Sequence, residues 1–150
     1  MTDFLNSVLP TQGTYCTVGI RSGVVKQSFQ VTIADVDAIG NGLDASGVDA
    51  YFALATFKDD SSRKVDNAAF LRAFFLDLDC GTGKPYADQP AAAQALSIFI
   101  KDTGLPSPTV VNSGGGLHVY WPLTEDVAVS DWVSHAKSLK RLCVQHNLHA

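Results

Sequence analysis

One short run, Phe74-Phe75-Leu76-Asp77-Leu78-Asp79, constrains this chain more than any other. It has the apolar density of a buried strand and ends in two acids one residue apart. Side chains alternate faces along a strand, so Asp77 and Asp79 project from the face that carries Phe75, while Phe74, Leu76 and Leu78 point the other way. Neighbouring carboxylates repel unless a proton or a cation lies between them. Hard oxygen ligands of this kind suit Mg2+ or Mn2+ rather than zinc. The run also reads as a strand entering an Asp-rich turn, with both carboxylates in water.

A second segment, Thr109 to Pro122, reads as strand, glycine turn, strand around Ser113-Gly114-Gly115-Gly116. Successive glycines leave no Cβ to block a ligand, and their N–H groups can approach phosphate closely. Beyond the turn, Leu117, Val119 and Trp121 share one face and Gly116, His118 and Tyr120 the other. An imidazole on an otherwise apolar strand needs a polar partner. A hairpin with a hydrogen-bonded core histidine satisfies the same pattern without any ligand.

The remaining segments frame these two. Residues 1–10 read as a loose lead-in, 15–20 and 27–33 as a strand pair, 34–45 as a short helix and 48–56 as an apolar strand. A polar loop with Arg63 and Lys64 precedes the acid-bearing strand at 69–79. The turn after it holds Lys84, either a surface lysine or a point charge within reach of phosphate. Residues 89–103 have Pro90 near the start, a stripe of Leu96, Phe99 and Ile100, and Gly104 as a stop, which predicts a helix. The periodicity of Trp132, Ala136, Leu139 and Cys143 predicts a last amphipathic helix with Ser130 as its N-cap. From residue 69 the order is strand, helix, strand, strand, helix, and one more strand would complete a βαββαβ unit. The expected fold is therefore α+β: an RRM-like or ferredoxin-like palm over residues 69–150, its last strand missing. An N-terminal strand-helix-strand extension over residues 1–68 packs on it in one compact domain.

The two motifs, Asp77-Leu78-Asp79 and Gly116-Leu117-His118, resemble those of the archaeo-eukaryotic primase superfamily. The match is closest to the primase-polymerase domains of phage and plasmid replication proteins, where strings similar to FFLDLDCGTGK and PTVVNSGGGLHVYWPL occur in this order. The resemblance implies a DNA primase/polymerase, a nucleotidyltransferase working with Mg2+ or Mn2+ on nucleoside triphosphates, a DNA template and a primer. It implies that Asp77 and Asp79 bind the metal ions and that His118 contacts the phosphates. Ser113, Gly114, Gly115 and Gly116 would lie beside the triphosphate, and Arg63 and Lys84 are further candidates to face the nucleotide. The family carries a third acidic motif on a strand after the second helix. Asp126 and Asp131 precede that helix and are misplaced for the role. The expectation is thus a piece of a longer replication protein, continuing into a helicase or DNA-binding region, or else a natural short form with an incomplete site; either is expected to be weak or inactive by itself.

Composition sets limits. One hundred and fifty residues with 46% hydrophobic content suit one domain, and a net charge of −4 argues against tight autonomous DNA binding. Three scattered cysteines form neither a disulfide framework nor a zinc cluster, which points to a reducing interior. The resemblance to phage and plasmid replication proteins implies the cytoplasm, of a bacterial host or for a virus-encoded protein. No apolar run is long enough to span a bilayer. Two alternatives stay open. One is a haloacid-dehalogenase-type phosphohydrolase, although Asp77-Leu78-Asp79-Cys80-Gly81-Thr82 has one residue too many before Gly-Thr. The other is a non-catalytic module that binds nucleotide or single-stranded DNA.

Overall fold

The computed structural model describes residues 2–150. In chain order the elements are α1 (Thr2–Val8), β1 (Tyr15–Arg21), β2 (Val24–Gln30), α2 (Ile33–Ala45), β3 (Asp49–Phe52), β4 (Thr56–Phe57), β5 (Ala68–Asp79), α3 (Gln89–Thr103), β6 (Thr109–Asn112), β7 (Gly116–Ala128) and α4 (Val129–Gln145). They form two compact units: the chain up to Arg72 with Leu123–Val129, and Ala73–Pro122 with Ser130–Ala150. β5 passes from the first unit to the second, and β7 passes back. Among the described residues no helix is long and apolar enough to cross a membrane.

In the first unit β1 is the centre of an antiparallel sheet ordered β2-β1-β3. Cys16 and Val18 on one face of β1 pack with Phe57, Phe29 and small alanines. The other face is met by α2, so closely at Gly19 that a Cβ would come within 3.0 Å of Leu43 and 3.1 Å of Val48. Thr32 caps α2 by accepting from the Asp35 N–H at 3.1 Å. Two expectations are corrected here. The lead-in is a helix, α1, because Leu5 and Val8 recur at helical spacing and are buried together with Leu9. The strand expected over 48–56 is two short ones. β3 pairs with β1, whereas β4 pairs with the start of β5 through Thr56↔Phe70 and Phe57↔Ala68.

The second unit holds the sheet order β5-β7-β6, with β6 and β7 joined as an antiparallel hairpin in the register Val111↔His118. Leu78, Leu117, Val119 and Trp121 cover one face, and both helices lie against it, α3 through Ala92, Leu96 and Phe99 and α4 through Cys143 and Leu139. Asp88 caps α3 by accepting from Ala91 N–H at 2.9 Å, and Gly104, at φ 70°, ends it in the left-handed region. Strand, helix, strand, strand, helix with this strand order is compatible with a ferredoxin-like or RRM-like α+β arrangement. The Cys80 N–H donates to Gly115 O at 2.9 Å, which fixes the parity of the ladder. Phe74, Leu76 and Leu78 turn their backbone groups to β7, and Phe75, Asp77 and Asp79 turn theirs to the outer edge. At that edge the Trp132 indole donates to Ala73 O at 3.0 Å, and its ring stacks on Phe74 at 5.5 Å. β7 runs on past Pro122. Its ladder with β6 ends at Tyr120, so the missing proline N–H interrupts nothing.

Candidate functional site

Strand alternation places Phe75, Asp77 and Asp79 on the face of β5 away from the helices, because Leu78 between the acids is fully buried in the core. The partner strand delivers His118 and Tyr120 to the same face. His118 Nε2 lies 3.8 Å from Asp77 Oδ1, with the imidazole side chain 32% and the carboxylate 51% exposed. On the ring's other side Nδ1 lies 3.5 Å from the Tyr120 hydroxyl. Phe75 meets the imidazole edge-on at 5.4 Å and the Tyr120 ring at 5.3 Å. Asp77, Tyr120 and Phe75 thus all lie against the ring, which stays about one-third exposed. Burial first, and then the negative charge of Asp77, push the Tyr120 phenol up to about 12. It stays a neutral hydroxyl at any physiological pH.

Gly116 explains why these strands meet where they do. A Cβ at this position would collide with the Leu78 carbonyl oxygen and sit 3.2 Å from Asp79 Cα. Its glycine allows the close approach of β7 to β5 beside the acid pair. The turn ahead of it is internally tied. Ser113 N–H donates to Gly116 O at 3.1 Å, and Gly114 N–H to Asn112 Oδ1 at 2.8 Å. Asn112 and Gln89 exchange amide hydrogen bonds at 2.8 and 3.0 Å, so the first residue of α3 anchors the glycine turn. Neither residue was marked by the sequence, since the pair closes across 23 positions of chain. Ser113 itself is exposed.

Lys84 Nζ lies 2.8 Å from Asp79 Oδ2, with both side chains about half exposed, at 49% and 51%. The hydrogen bond to Asp79, then the charges of Asp79 and Asp77, raise the Lys84 ammonium pKa. Cys80 beside the pair is not an activated thiol: burial and then Asp88, Asp79 and Asp77 raise its pKa. An open cavity of about 470 Å³ adjoins the outer edge of β5, lined by Asp77, Asp79, Lys140, Val144 and His149 among others. Lys140 was not marked by the sequence because a lysine on a helix carries no signal of what it faces. Arg63 belongs to the first unit, where it is exposed and its charge partly offsets the burial that raises the Cys16 thiol. Asp126 is also accounted for in the first unit. It accepts from Thr11 N–H at 2.9 Å and Thr11 hydroxyl at 2.8 Å and lies 4.0 Å from Arg72.

Among the described residues no three His, Cys, Asp or Glu side chains converge into a ready-made metal cage. Two adjacent carboxylates fit an ion of the magnesium type, which takes one or two acids from protein and the rest of its shell from water and phosphate oxygens. Comparison with family models, with curated proteins and with solved structures found no match for this chain.

Proposed function

We propose that the second unit is the catalytic palm of a primase-polymerase resembling those of phage and plasmid replication proteins, transferring nucleotides to a template-directed DNA primer. The observation that carries this reading is the grouping of Asp77, Asp79 and His118 on one sheet face, with His118 Nε2 3.8 Å from Asp77 Oδ1. Phosphoryl transfer asks a protein for alignment and for neutralisation of charge, and little else. Mg2+ or Mn2+ on the two aspartates would neutralise the triphosphate and activate the primer hydroxyl. His118 donates through Nε2 to a phosphate oxygen while contacts from Phe75 and Tyr120 hold the ring plane. Lys84 supplies a further positive charge beside Asp79.

One observation favours a second reading. With no group of three metal-ligating side chains among the described residues, the unit also suits a module that binds a metal–nucleotide complex or single-stranded DNA without turnover. The antiparallel hairpin of β6 and β7 weighs against the phosphohydrolase, which calls for an alternating α/β sheet.

Calorimetric titration of a nucleoside triphosphate in the presence of Mn2+, paired with primer extension, tests the proposal. Metal-dependent binding that disappears in Asp77→Asn and Asp79→Asn supports the site, and extension in addition supports the polymerase. Binding to single-stranded DNA that ignores both metal and His118→Ala overturns it in favour of the non-catalytic module. A covalent phosphate on Asp77 overturns it in favour of the hydrolase.

A further inference from the structure

We infer that Lys84 and a divalent cation compete for the Asp79 carboxylate, and that displaced Lys84 becomes a ligand of the triphosphate. The inference rests on the proposed metal–nucleotide site and adds to it a device that couples metal entry to nucleotide capture.

The geometry supplies the parts. Lys84 Nζ is 2.8 Å from Asp79 Oδ2, a direct charge-assisted hydrogen bond on the oxygen of an acid that also faces the cavity beside β5. A cation coordinated by Asp79 needs the same lone pairs, and an ammonium and a metal ion repel at that range. The two therefore exclude one another on Asp79. The base of the turn is pinned while its tip is not. Gly81 N–H donates to Tyr86 O at 2.9 Å and Lys84 N–H to Gly81 O at 3.0 Å. Gly81 and Gly83, at φ 121° and 76°, hold the backbone in a form that L side chains resist, with no other atom within 4 Å of their virtual Cβ positions. The two backbone bonds hold the ends of the turn, and the half-exposed lysine side chain reaches from it to Asp79. Among the described residues no lysine pairs with Asp77 within 4.0 Å: it faces His118, while Lys140 lines the same cavity. The two acids are consequently unequal: a first ion meets less competition at Asp77 than at Asp79. A released ammonium stands beside the acids, where the phosphates of a metal-bound triphosphate carry the highest negative charge.

Mn2+ alone, titrated into the 150-residue chain and followed by the loss of its free-ion paramagnetic resonance signal, reads the competition without any turnover. Lys84→Met and Lys84→Gln should each bind Mn2+ about two- to fivefold more tightly than the wild type, the range expected for loss of an exposed ion pair. The same variants should bind the Mn2+ complex of a nucleoside triphosphate more weakly than the wild type. Circular dichroism and urea unfolding confirm that the variants fold. Mn2+ affinity unchanged in both variants, with Asp77→Asn and Asp79→Asn still abolishing it, overturns the competition and leaves the metal site standing. Mn2+ binding that is absent from the wild type and both lysine variants, or indifferent to the two aspartate variants, overturns the metal site and the competition together.

Discussion

Gly116 stands against the Leu78 carbonyl with no room for a methyl group, and this contact is what brings His118 level with Asp77. Two positions along β7, the imidazole inherits the spacing that the glycine sets. Gly116→Ala should cost about 1–3 kcal/mol in urea unfolding, the usual penalty for forcing a carbon into packed backbone. It should also weaken Mn2+ binding by shifting the His118 strand. Gly115 meets nothing within 4 Å of its virtual Cβ and has an ordinary φ, so Gly115→Ala should stay within about 0.5 kcal/mol of the wild type. Equal costs at the two positions would show that strand approach is not what Gly116 is for.

Asp77→Asn should separate function from stability. The carboxylate is about half exposed and carries no core contact, so the unfolding midpoint should stay near the wild type. Mn2+ binding should nevertheless fall steeply, because one of the two acids on that face is gone. A large loss of stability with metal binding retained would assign Asp77 a structural role.

Asp126 should behave in the opposite way. It is the acceptor for two Thr11 groups and the neighbour of Arg72, with its side chain only 6% exposed. Asp126→Ala removes the acceptor of both Thr11 groups and should destabilise by about 0.5–1.5 kcal/mol, measured by urea unfolding. Mn2+ affinity should not change. A variant that folds normally but loses metal would assign Asp126 to the metal site.

The Tyr120 phenol predicts a pH dependence with a definite sign. Its pKa is raised from 10.0 to about 12 in the folded protein. Across that interval the native state keeps a proton that the unfolded chain has released, so stability falls as pH rises through it and is undiminished below its lower end. Phenolate absorbance should show one tyrosine ionising last, and Tyr120→Phe should remove that step and flatten the alkaline decline in stability. An unchanged titration curve in Tyr120→Phe would place the latest-ionising phenol elsewhere.

What could be read directly from the residues was whatever depends on local periodicity. The alternation of Phe74 to Asp79 assigns the acids to one face, and Leu117, Val119 and Trp121 assign His118 and Tyr120 to one face in the same way. The proline start and glycine stop of α3 follow from the backbone limits of those two residues. The helical character of Thr2–Val8 was legible in principle through Leu5 and Val8, but one turn of spacing is too short a signal to separate from a loop. The break between β3 and β4 was not legible, because an apolar run looks the same whether it pairs with one strand or two.

The sequence by itself thus determined which side chains share a face, because rise and twist per residue are properties of the backbone. Tertiary structure alone decided which faces meet: that Gly116 fits Leu78, that Lys84 returns to Asp79, and that Gln89 clasps Asn112. Those pairings depend on sheet order and on the path of each turn, and these are set by how all the apolar faces can be buried at once.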